Sequence, residues 1–221
     1  AGMLVSAAAL STRFAPSAGC SGENGDNMKT GPITLSNNQS LRYDFGDIIE
    51  GEHDQFEAHP MLPLVGATNA KNIYIDATGA VVRLKMLDAL SEFRHALGLY
   101  GCNRASIHHG EWSSNSGDGA YIGPHVEGTT RTPCRDVGIF GATFDSNRRQ
   151  GISIVSAVGV DILNCTILRT GGTAPQAGCD CEPSHWTDRL SGIRISDCKF
   201  IGNAGSAILV TLDRLTTTSE A

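Results

Sequence analysis

Aromatic residues are scarce in this chain, 6% of 221, with two Trp and four Tyr. A helical bundle or a single large core filled by rings is therefore not favoured; thin, repetitive layers packed with small and β-branched residues fit better. No stretch approaches 18 consecutive apolar residues, which removes a transmembrane helix from consideration. Positive charge is also short, with 17 Lys and Arg against 23 Asp and Glu for a net charge of −6. Nucleic acid thus has no global electrostatic attraction to this chain, and a polyanionic substrate would need a local basic patch. The apolar start Ala1–Leu10 lacks a basic leader, so a strand from Met3 to Leu10 is expected rather than the remnant of a signal segment. The chain does not begin with Met, and a missing upstream piece is expected. Zinc-type spacing is absent from the polar excursion holding Glu52, His53, Asp54, Glu57 and His59, which reads as a loop.

What the chain has in quantity is glycine, 26 residues, and short alternating segments between turns. In Arg148–Pro183, Gly151 precedes Ile152-Ser153-Ile154, and Gly178, 27 residues later, precedes Cys179-Asp180-Cys181. Units recurring at 20 to 50 residues cannot bury their own apolar face and must stack on copies of themselves. Ile75, Ile107, Ile139, Ile162 and Ile195 form one series, at spacings of 32, 32, 23 and 33. Between them lies a second: Gly119–Ile122, Gly151–Ile154, Gly178–Cys181 and Ala204–Ile208. Earlier, Ile33–Leu35, Leu41–Phe45 and Ile48-Ile49 follow the rhythm of an initial coil. Two interleaved series in matching phase predict at least two parallel sheets per coil, with loops absorbing the variation in spacing. The fold class is all-β, a parallel solenoid forming a single domain over residues 1–221.

One segment departs from the alternation. Met86, Leu87, Leu90, Phe93 and Leu97 have helical spacing, which predicts a short amphipathic helix over 85–97. The cysteines follow the repeat: Cys102 and Cys134 each precede a series Ile by five residues, and Cys165 and Cys198 each follow one by three. Neighbouring parallel strands lie ~4.8 Å apart. Each pair is therefore either a disulfide or a ladder of free thiols. Cys179 and Cys181 are read as core residues.

The runs Ser116–Gly123, Asn147–Ile154 and Thr170–Pro183 resemble the right-handed parallel β-helix proteins of the pectin-lyase-like superfamily, over roughly Ile33 to Val210. The resemblance implies a right-handed β-helix and an extracellular setting. Such proteins act on polysaccharides as lyases, hydrolases or epimerases, or serve as phage tailspikes and depolymerases. The paired aspartates and the Gly-His-Gly run of polygalacturonase-type hydrolases are missing. Cysteines stand at 179 and 181, where isoleucines are common.

With Cys179 and Cys181 inward, Asp180 and Glu182 are expected on the outward face, Cα atoms ~6.6 Å apart. In the same register Ser153 and then Tyr121 occupy the position of Asp180 on preceding rungs, while Asp118, Gln150 and Ala177 share a column. Arg148 and Arg149 lie just ahead of that column, and His185 and Trp186 follow the last strand. His125 is kept as a spare base. The catalytic set is thus Asp180, Glu182, Asp118 and Arg149, with Tyr121, Arg148, Gln150, Ser153, His185, Trp186 and His125 as substrate-binding residues and no protein metal site assigned. Hydrolysis would use Asp180 and Glu182 as acid and base. β-Elimination on a uronate would neutralise the substrate carboxylate with an Arg or with Ca²⁺ held by the acids, while Arg149, Tyr121 or His185 moves protons. Each residue also has a structural reading: Asp118 shaping a turn, Glu182 ending a strand, His108, His109, Glu111 and Trp112 forming a solvated turn. The expectation is a secreted enzyme cleaving an extracellular acidic polysaccharide, with lyase placed ahead of hydrolase. The alternative is a non-catalytic β-helix such as a tailspike or carbohydrate-binding surface protein. The polar tail Thr211–Ala221 is too short to cover a solenoid end, so the chain is either a fragment or closed by homo-oligomerisation.

Overall fold

The computed structural model describes residues 11–12, 27–56, 61–85 and 92–215. They form three parallel sheets of seven strands each, which wind as a solenoid. Sheet A contains Ser11–Thr12, Ser40–Arg42, Lys71–Asp76, Asn103–His108, Cys134–Phe140, Ala157–Leu163 and Leu190–Ser196. Sheet B contains Asn27–Lys29, Ile48–Glu52, Val81–Lys85, Glu111–Ser114, Thr143–Asp145, Thr166–Leu168 and Lys199–Ile201. Sheet C contains Ile33–Leu35, Val65–Thr68, Leu97–Tyr100, Ala120–Gly123, Ile152–Ile154, Cys179–Cys181 and Ile208–Val210. An antiparallel hairpin, His125–Glu127 with Thr130–Thr132, is inserted after the fourth strand of sheet C.

Both repeat series are in register. Ile75, Ile107, Ile139, Ile162 and Ile195 pair rung to rung in sheet A. Ile152 pairs with Cys179 and Ile154 with Cys181 in sheet C. These inward side chains make one continuous core: Ile75, Ile107, Ile139, Ile154 and Ile167 retain at most trace exposure. Burying each such aliphatic side chain is worth about 1.5–3 kcal/mol, and a β-branched chain suits the pleat. Sheet B is the third face. Its strands are short, and left-handed residues join four of them to sheet A: His109 with Gly110, Gly141, Asn164 and Asp197, with φ between 55° and 80°. Asn, Asp and Gly tolerate this conformation best, which explains their place at the corner.

The six described cysteines, Cys102, Cys134, Cys165, Cys179, Cys181 and Cys198, are free. Cys102 and Cys134 stack as expected, with the Cys102 amide donating to Cys134 Sγ at 3.3 Å. The helix expected over 85–97 is not formed among the described residues. Lys85 ends a sheet B strand, Glu92 and Phe93 form a turn, and Leu97 begins a sheet C strand; residues 86–91 lie outside the described set. Phe93 is 55% exposed while Leu97 is fully buried, so the helical spacing had joined residues from two different environments. The strand expected at Met3–Leu10 also lies outside the described residues. Trp112 is a core residue of sheet B rather than part of a solvated turn, fully buried with its indole N–H donating to the His109 carbonyl at 2.9 Å.

Candidate active site

Outward positions of sheet C run in one column: Thr34, Gly66, Gly98, Tyr121, Ser153, Asp180 and Leu209. Tyr121, Ser153 and Asp180 thus stack on successive rungs, as the sequence register predicts. Beside them opens a cavity of about 310 Å³, also lined by Glu92, Phe93, His95, Arg149, Val155, Glu182, Ser184 and Arg214. The Glu92–Phe93 turn closes one side and the segment Glu182–Ser184 the other. That second wall is pinned by Asp188, a buried carboxylate that accepts the Ser184 and His185 amides at 3.0 and 2.9 Å. Arg131 of the hairpin grips the same carboxylate with two nitrogens, each at 2.9 Å.

These walls change what Asp180 is. An outward strand residue was expected to be exposed, yet Asp180 retains 2% of its surface. Its Oδ2 accepts the Gln150 side-chain amide at 2.7 Å, while Oδ1 has no hydrogen-bond partner. Burial, reinforced by the neighbouring Glu182 carboxylate and opposed by Arg149, pushes its pKa up to about 6. Asp118 lies behind the cavity surface, fully buried. Its Oδ1 accepts the Gln150 backbone amide at 3.1 Å and its Oδ2 accepts Ser153 Oγ at 2.8 Å. Arg149 approaches Oδ1 at 3.7 Å, but burial dominates and lifts the Asp118 pKa to about 7. Gln150 therefore ties the two acids together, and its own Oε1 accepts the Ala177 amide at 2.9 Å.

His95 completes the buried set. Its Nδ1 lies 3.1 Å from the Asp118 amide nitrogen and 3.3 Å from Asp118 Oδ2, so the ring is tied to both the backbone and the carboxyl of that residue. Burial first, then the Arg149 charge, depress its pKa to about 3, leaving it neutral. The ring stacks on Tyr121 at 4.8 Å and 14°. Tyr121 is held protonated as well, its pKa pushed up to about 12 by burial and then by Asp118.

Of the residues expected from sequence, Asp180, Glu182, Arg149, Tyr121 and Ser153 line the cavity, and Asp118 and Gln150 support it from behind. Four do not line it. Arg148 packs under the turn at Gly172, where its carbonyl accepts the Thr173 amide at 2.9 Å. His185 turns back to Thr187 Oγ1 at 2.8 Å, and Trp186 stands 53% exposed beyond the wall. His125 sits on the hairpin above Gly101. Strand alternation does not extend through corners and insertions, so side-chain direction there could not be read from register. The same limit hid His95, Glu92, Phe93, Ser184 and Arg214, none of which belongs to an alternating segment.

The donor set does not suit Ca²⁺, which takes six to eight oxygens. Both Asp118 oxygens already accept hydrogen bonds and Arg149 faces the acids. No group of three or more His, Cys, Asp or Glu among the described residues is placed to hold a metal ion.

Residues 71–220 match the family model for the right-handed β-helix region, and the chain belongs to that family. A crystal structure from Parabacteroides merdae, described as a candidate glycosyl hydrolase, is similar at 14% sequence identity and a TM-score of 0.51; the match covers 89% of this chain and 82% of that one. This likeness is one of fold. No curated protein matches the chain. Among the described residues no helix is long and apolar enough to cross a membrane.

Proposed function

We propose that the chain hydrolyses glycosidic bonds of an extracellular polysaccharide in the sheet C cavity, with Asp180 as the general acid. One observation carries the reading: a cavity-lining carboxyl with one unpartnered oxygen, held near pKa 6, beside a second carboxyl on Glu182. An acid that keeps its proton up to about pH 6 can protonate the leaving oxygen while its neighbour attacks the sugar or activates water. Gln150 fixes Asp180 Oδ2 and leaves Oδ1 for the proton. Arg149 and Arg214 line the same cavity and suit an acidic substituent on the substrate. The name given to the Parabacteroides merdae protein is consistent with this chemistry.

Hydrolysis is placed ahead of elimination, reversing the order expected from sequence. Elimination needs a base near neutrality. Neutral His95, depressed to about 3, is a weak base, and Tyr121 is raised to about 12. Asp180, near 6, would therefore have to serve elimination as base rather than hydrolysis as acid. The test is a screen of acidic and neutral polysaccharides, following reducing ends and absorbance from unsaturated products. Reducing ends alone, lost in Asp180→Asn, are expected. Unsaturated products would establish a lyase. Silence in both assays, with glycan binding unchanged in Asp180→Asn, would leave a binding protein.

A further inference from the structure

A second depression, of about 380 Å³, lies on the outer face of sheet A. It shares no lining residue with the catalytic cavity. Its floor is backbone, because Gly138, Gly159 and Gly192 fall on three successive rungs. Gly159 and Gly192 have φ of 74° and 63° and stand opposite each other, in one column with Asp136 (φ 52°), at a left-handed position that recurs on each rung. A side chain at 159 would be strained by that φ and would meet the Asp136 carboxylate, 3.1 Å from where its Cβ would stand.

One aromatic residue, Phe140, lines the depression and ends a series of rings on sheet A. Tyr74 and His108 have ring centroids 5.1 Å apart, and His108 and Phe140 are 5.0 Å apart. The ring series stops at Phe140, since the next rung carries Asp161 and Leu163 in those columns. Phe140 itself lines the depression and lies over Gly138, where any Cβ would come within 2.4 Å of the ring. The rim is polar and balanced in charge. Arg104 donates to Asn72 Oδ1 at 2.7 Å, Asp161 is paired with Arg194 at 2.7 Å, and Asp136 offsets Arg104.

We propose that this face is a second glycan-binding site, for an uncharged pyranose chain packed against Phe140. The apolar C–H face of a pyranose suits an aromatic ring, while its hydroxyls need donors and acceptors at the rim. Arg104 and Arg194 against Asp136 and Asp161 leave no net charge to select a polyanion. The site would hold a neutral polymer while the sheet C cavity acts elsewhere, and it does not depend on that cavity being catalytic.

Calorimetric titration of the full chain with neutral hexasaccharides of β-1,4-linked glucose, xylose or mannose, and with hexagalacturonate, tests the proposal. Saturable binding of at least one neutral hexasaccharide is expected. Phe140→Ala and Arg104→Ala should each weaken it about tenfold or more, while Asp180→Asn leaves it unchanged. Thermal melting checks that each variant folds; if Phe140→Ala does not, Arg104→Ala at an exposed side chain decides. The proposal is overturned if no neutral hexasaccharide binds, if the sheet A variants weaken hexagalacturonate binding more than neutral binding, or if the folded sheet A variants bind neutral hexasaccharides like the parent.

Discussion

Asp161 and Asp180 both stand mid-strand on outward positions, one on sheet A and one on sheet C. Their fates differ. The Asp161 side chain is 44% exposed and pairs with Arg194 at 2.7 Å, a contact that raises the arginine pKa. Asp180 is 2% exposed, bonded on one oxygen only, and holds its proton up to about pH 6. Strand geometry is the same in both places, so it does not make a carboxyl reactive. The walls do, because they remove water from Asp180 without supplying a cation in direct contact. Glu92–Phe93 and the clamped segment Glu182–Asp188 are thus as much part of the site as the acids.

The sharpest way to break this comparison is to remove each carboxylate in turn. Asp180→Asn is expected to lower turnover by roughly 10²–10⁴-fold, the range of a general acid, while Asp161→Asn leaves it unchanged; equal effects in kinetic assays would erase the distinction. Next in size, Arg131→Ala strands the buried Asp188 carboxylate and should cost about 3–5 kcal/mol in denaturant unfolding, where Arg194→Ala, at an exposed pair, should leave the unfolding midpoint close to the parent's.

The pH response separates the two faces further. Asp118 titrates near 7 in the folded chain, against an ordinary value of 3.8. The folded chain therefore keeps a proton that the unfolded chain releases, and stability contributed by this group falls as pH rises from about 4 to about 7. Asp118→Asn should flatten that slope in melting experiments, whereas Asp161→Asn should leave it in place. Turnover should fall as pH rises above about 6, as Asp180 loses its proton. The smallest effect is expected at Asp161 itself, where Asp161→Asn should change stability by less than about 1 kcal/mol, in a salt-sensitive way.

Much of the solenoid was legible because a period of two within strands and a recurrence of 23 to 33 residues between them leave little choice of register. The isoleucine column, the match of Gly151 to Gly178 and the Tyr121–Ser153–Asp180 column all follow from those two regularities. The third sheet was less visible, since strands of three residues such as Thr166–Leu168 carry too few alternations to separate from turns. The helix expected over 85–97 shows the opposite hazard. Its apolar spacing was real, but the described residues Phe93 and Leu97 serve a turn and a strand.

At the candidate site, sequence register placed Asp180, Ser153 and Tyr121 on one face, because alternation along a strand is a local property. It could not place His95 against Tyr121, or Arg131 against Asp188 across 57 residues, because those contacts arise where corners and insertions fold back over the coil. Nor could it show that Asp180 is buried, which follows from what covers the strand rather than from the strand. Sequence alone determined the coil, its core and the outward column of acids. Only the tertiary structure decided which of those acids lost its water, and loss of water is what raises the pKa of a carboxyl.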